Sequence, residues 1–136
     1  MKCSKYQTAV PGVELDEALK NNVAQFLKQF KDLAQNELFV VPREKNTQAL
    51  LQLGLTFADR RNEILSLSVE EYFRGPVPDH DQSGDVWEFG KMIAGVEIYI
   101  KLKLVEYQPK GQTETVRKAK CLSFHVAEKT LIYPFK

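Results

Sequence analysis

Two alternating stretches in the last third of the chain gather side chains able to hold a phosphate and move protons. In Val96-Glu97-Ile98-Tyr99-Ile100-Lys101-Leu102-Lys103-Leu104 every even position is aliphatic. A strand of period 2 buries those positions and turns Glu97, Tyr99, Lys101 and Lys103 the other way. Lys120-Cys121-Leu122-Ser123-Phe124-His125-Val126 follows suit, burying Leu122, Phe124 and Val126 and leaving Ser123 and His125 opposite. Paired, the two strands place Tyr99, Lys101 and His125 on one sheet face.

Cutting RNA without a metal needs a base for the 2′-hydroxyl, cations for the charge gathering on the phosphate oxygens, and an acid for the departing 5′-oxygen. Glu88 is a candidate base, and Arg74 with Lys101 a candidate phosphate clamp. His125 is a candidate acid because imidazole titrates nearest neutral pH, and Tyr99 a candidate donor to the phosphate. Lys91, Lys103 and Trp87 are candidate contacts for the RNA strand. Each has an ordinary alternative: a structural histidine, solvated strand lysines, a cross-strand ion pair at Glu88, a core anchor at Trp87.

Asp79-His80-Asp81 with Asp85 offers oxygen ligands, but the spacing fits no calcium loop. A mobile acidic loop bordering a nucleic-acid site is the reading adopted. Cys3 and Cys121 are too few and too far apart for zinc, and Cys121 reads as a small buried hydrophobe. No glycine-rich phosphate loop, nucleophile elbow or HExxH occurs, and no cofactor is expected.

These side chains need a scaffold, and 136 residues suffice for one ordinary core. With 43% hydrophobic and 27% charged residues the composition is that of a globular domain, and no apolar run reaches a membrane span. Without a signal-peptide core after Met1-Lys2-Cys3, a cytoplasmic protein with no membrane partner is expected. The net charge of +1 conceals an imbalance. Residues 86–136 hold nine basic and five acidic side chains, residues 37–85 the reverse, so the basic end invites a polyanion.

After a Pro11-Gly12 turn, Glu14 to about Gln35 is expected to form an amphipathic helix with an apolar stripe of Leu19, Val23, Phe26, Leu27, Phe30 and Leu33. Glu37 to Val41 reads as a strand stopped by Pro42, and Lys45 to Leu53 as a helix closed by Gly54. Thr56 with Asp59 caps a helix to about Leu67, and Ser68 with Glu71 a last turn ending in Tyr72-Phe73. Residues 74–85, with two prolines and two glycines, read as a loop. Strands follow at Val86 to Ile93, after a tight Ala94-Gly95 turn on to about Glu106, and at Lys118 to Val126. Helices followed by an antiparallel sheet of about four strands make an α+β fold. It is read as a single domain over 1–136, with a helical extension at 1–36 and a core at 37–136.

Leu53-Gly54-Leu55-Thr56, Ile64-Leu65-Ser66-Leu67-Ser68, Glu71-Tyr72-Phe73-Arg74, Trp87, Glu97-Ile98-Tyr99-Ile100-Lys101 and Leu122-Ser123-Phe124-His125 occur in order across Leu50 to Val126. That ordered set resembles the MqsR-type toxins, ribosome-independent mRNA interferases of bacterial toxin-antitoxin pairs with a RelE-like fold. The resemblance implies an RNA substrate, no cofactor and a protein antitoxin of helix-turn-helix type. It also implies that the family's catalytic lysine, glutamine, tyrosine and lysine correspond to Arg74, Glu88, Tyr99 and His125, of which only the tyrosine is identical. A non-catalytic module gripping RNA or protein on the same scaffold is the alternative.

Overall fold

The structure, a computed structural model, describes residues 11–136. Cys3 lies outside them. An apolar stripe repeating every three or four residues makes helix α1 (Pro11–Ala34), which buries Val23, Phe26, Leu27, Phe30 and Ala34. Pro11 and Gly12, expected to form a turn, already belong to this helix. Strand β1 (Leu38–Val40) follows, then helix α2 (Glu44–Leu53), closed by Gly54 at φ 67°. Helix α3 (Phe57–Leu65) opens with Thr56 Oγ1 accepting from the Asp59 N–H at 3.0 Å, while Asp59 accepts from the Thr56 N–H at 2.9 Å.

A 3-10 turn at Val69–Glu71 leads directly into β2 (Tyr72–Pro78), where Tyr72-Phe73 was expected to end a helical turn. Only 79–84 of the expected twelve-residue loop is loop, since β2 pairs with β3 (Asp85–Ile93). Its prolines are tolerated because β2 is the sheet's outer strand and its pairing is broken by two register shifts. Ala94 (φ 53°) and Gly95 (φ 80°) form the two-residue hairpin into β4 (Val96–Tyr107). Strand β5 (Val116–Val126) completes a five-stranded sheet of order β1-β5-β4-β3-β2.

The sheet is mixed, because β1 runs parallel to β5 while the other pairs are antiparallel. The expected strand at Glu37 to Val41 thus joins the sheet at its far edge. One face packs on the helices: Phe89, Ile98, Ile100, Leu102, Cys121 and Phe124 meet Phe26, Phe30, Ile64 and Leu67 in one core. Because α1 supplies so much of that core, it is an integral layer of the fold rather than an appendage. The opposite face, the front, carries the candidate site.

Candidate nucleic-acid site

Pairing register builds the front face from the side chains upward. Arg74 lies opposite Glu88, Glu88 opposite Lys101, and Lys101 opposite Ser123, a row across four strands. The next row holds Gly90, Tyr99 and His125. Arg74, Glu88, Tyr99, Lys101, Ser123 and His125 together line a cavity of about 320 Å³. A smaller hollow of about 50 Å³ continues from Arg74, Glu88 and Lys101 toward His80 and Asp81.

A one-residue bulge makes this alignment possible. Lys101 pairs with Ser123 but Leu102 pairs with Cys121, so Leu122 is the extra residue. Beyond the bulge Ser123 and His125 face front, while Cys121 lies in the core behind. Leu122 is buried as expected, at 6% exposed, but beside Glu88 in the small hollow rather than against the helices, while Val126, also expected to be buried, is 38% exposed. Buried Asn46 of α2 holds the irregular backbone in place. Its Nδ2 donates to Val41 O (2.9 Å) and Leu122 O (3.1 Å), and its Oδ1 accepts from the Phe124 N–H (2.9 Å).

Glu88 is 2% exposed and both its oxygens are engaged: Tyr99 OH donates to Oε1 at 2.6 Å and Arg74 Nε to Oε2 at 2.7 Å. Burial, reinforced by that hydrogen bond, raises the Tyr99 pKa far above the usual phenol range, so Tyr99 is a neutral donor. The hydrogen bond to Glu88 raises that of Arg74, which stays charged. The His125 ring lies 5.4 Å from that of Tyr99, and its Nδ1 is 3.0 Å from the Val126 carbonyl. A carbonyl only accepts, so Nδ1–H donates there and Nε2 is left for a ligand. Lys101 forms no ion pair among the described residues.

Three further candidates stand apart from this group. Lys103 shares the front face but is buried: its Nζ donates to Asp79 Oδ2 (2.7 Å) and the Ser83 carbonyl (2.6 Å). The 79–84 loop, expected to be mobile, is pinned over the sheet by these bonds and by Asp79 N–H donating to Gly84 O at 2.9 Å. Lys103 is therefore closed to RNA in this arrangement. Lys91 points to the helical side, pairing with Glu63 at 2.9 Å and donating to Ser66 Oγ. Trp87 also points there, its ring stacked on Phe26 at 4.7 Å, which is the core-anchor reading. Among the described residues no group of three His, Cys, Asp or Glu side chains is placed to hold a metal.

The cavity also includes residues that the alternation did not single out: Arg43, Phe73, Glu128, Lys129 and Leu131. Arg43 left one signal, for it occupies the N-cap of α2 without capping it, a position usually given to Ser, Thr, Asp or Asn. Glu128 is held by Lys45, whose hydrogen bond lowers its pKa, so both cavity carboxylates are already paired against four permanent cations. Leu131 and Tyr133 cross β3 where Gly90 leaves no room for a Cβ. Glu97 anchors them, accepting from the Leu131 N–H (3.1 Å) and Tyr133 OH (2.7 Å). No helix of the described residues is long and apolar enough to cross a membrane. No protein-family model, curated protein or solved structure matches the chain.

Proposed function

We propose that the front face is an RNA-cleaving site and the chain the toxin of a type II toxin-antitoxin pair, similar to MqsR-type mRNA interferases of RelE-like fold. One observation carries the reading: cations, a buried carboxylate, a phenol and an imidazole converge on one cavity in two aligned rows. Arg74 and Lys101 hold the scissile phosphate. As Arg74 turns to the phosphate its Nε leaves Glu88 Oε2, and that oxygen takes the proton of the 2′-hydroxyl. The 2′-oxygen bonds to phosphorus, the bond from phosphorus to the 5′-oxygen breaks, and His125 gives that oxygen its proton. The products are a 2′,3′-cyclic phosphate and a 5′-hydroxyl. Tyr99 remains protonated, and its single O–H turns from Glu88 Oε1 to one phosphate oxygen. The substrate would be single-stranded mRNA in the cytoplasm, with a helix-turn-helix antitoxin as partner.

Incubating the purified full chain with an RNA oligonucleotide tests the reading on a denaturing gel. Cleavage ending in a cyclic phosphate is expected; intact RNA, together with normal growth on expression without a partner, would overturn it. A second reading, a non-cleaving RNA- or protein-binding module, is favoured by the full engagement of Glu88, which leaves no free base before a ligand arrives. His125→Ala separates the two. An enzyme loses turnover by roughly 10²-fold or more with RNA affinity nearly unchanged, whereas an RNA-binding module loses affinity and has no turnover to lose.

A further inference from the structure

Arg60, in α3, is 8% exposed, and its side chain makes no hydrogen bond or ion pair among the described residues. The Phe57 ring centroid lies 5.3 Å from its Cζ. A guanidinium carries five N–H donors, and buried donors in native proteins are nearly always satisfied. Cys121 supplies no counter-charge, because burial pushes its thiol up to about 12 and keeps it neutral.

Around Arg60 the surroundings are open and mixed. It lines a cavity of about 520 Å³ with apolar walls at Leu38, Val40, Val41, Pro42 and Phe57, the last 76% exposed, and with polar Thr47 and Arg61 beside them. Strand β1 is the sheet's outer strand on this side. The Val41 N–H donates to Cys121 O at 2.9 Å, so by alternation the backbone groups of Leu38 and Val40 point away from β5, where no strand of the described residues lies beyond. A strand edge, partly apolar walls and a cation with no counter-charge among the described residues therefore meet in one groove.

We propose that this groove docks an extended segment of a partner protein, which adds a strand to β1 and sets an Asp or Glu carboxylate on Arg60. Main-chain bonds along β1 supply affinity, the apolar walls take alternate side chains, and the ion pair fixes register. A nucleic-acid strand suits the groove less, since six of its ten lining residues are apolar and a free strand edge pairs with peptide backbone rather than with phosphate. None of the six residues that line the front cavity in its two rows lines this groove, so the proposal stands independently of RNA cleavage.

The test titrates the isotope-labelled full chain with a ten-residue peptide of alternating valine and glutamate, and with its valine-glutamine counterpart. The glutamate peptide is expected to shift the amides of Leu38 to Val41 and the Arg60 Nε signal, and to bind roughly 30-fold tighter than the glutamine peptide. Arg60→Met is expected to abolish that difference, to raise the Tm of the peptide-free chain by removing an unpaired buried charge, and to leave RNA cleavage unchanged. No binding at millimolar peptide, equal binding of the two peptides, a lowered Tm in Arg60→Met, or an oligoribonucleotide shifting these same signals would each overturn it.

Discussion

Glu88 draws its character from the two donors that close over it. Removing either leaves a buried carboxylate oxygen without a partner, so Glu88 sets the positions of Tyr99 and Arg74. The Asp79 and Lys103 side chains, 7% and 4% exposed, form a second anchored pair. The hydrogen bond from Lys103 lowers the Asp79 pKa from 3.8 to about 2. A depressed carboxyl pKa stabilises the fold above its unfolded value, and the gain is lost as pH falls through the folded value. Chemical denaturation across pH 5 to pH 2 should show this acid-side loss in the wild type and not in Lys103→Met. At neutral pH that substitution should destabilise the chain by about 3 kcal/mol, with much of the loss recovered when Asp79→Leu is added.

Strands and helices contribute by holding irregular backbone where the chemistry needs it. Asn46 spends all three of its hydrogen bonds on Val41, Leu122 and Phe124, tying α2 and the end of β1 to the bulge in β5. Asn46→Ala should cost about 3 kcal/mol by urea denaturation, at roughly 1 kcal/mol per bond. It should also lower RNA cleavage without touching the front face. Neither the bulge nor its brace was legible in the sequence, because Leu122 obeys the same alternation as its neighbours and Asn46 finds its partners 76 and 78 positions away. Local signals fared better. The Thr56 and Asp59 box, Gly54 after α2 and the Ala94-Gly95 hairpin rest on short-range chemistry, and the structure has them where expected. β2 was missed because Pro76 and Pro78 read as loop unless the strand is known to lie at an edge.

Taken as a whole, the molecule is a sheet with a helical back and a polar front, and α1 is what makes the back dry. Phe26 touches Phe30, Phe89 and Trp87. Phe26→Ala should destabilise the fold by about 3–5 kcal/mol, and the fluorescence of Trp87, the only tryptophan, should report the loosened contact. The two-faced plan also explains how far the candidate site could be read in advance. Alternation put Tyr99, Lys101 and His125 on one face because each strand has a buried side, and cross-strand register then set Arg74 and Glu88 beside them. The fates of Lys91, Lys103 and Trp87 depended on which loop or helix covers them, and strand periodicity carries no such information.

The extra residue in β5 also sets where the chain can change length over evolutionary time. The turn at 108–115 can gain or lose residues while β4 and β5 stay in phase on either side of it. Leu122 is a second such place, because without it Cys121 opposite Leu102 and Ser123 opposite Lys101 become consecutive and alternate regularly, with Ser123 and His125 still in front and Cys121 and Ala119 still inside. At that one position in 136 the odd-numbered residues of β5 change faces, Ala119 and Cys121 inward before it and Ser123 and His125 outward after it.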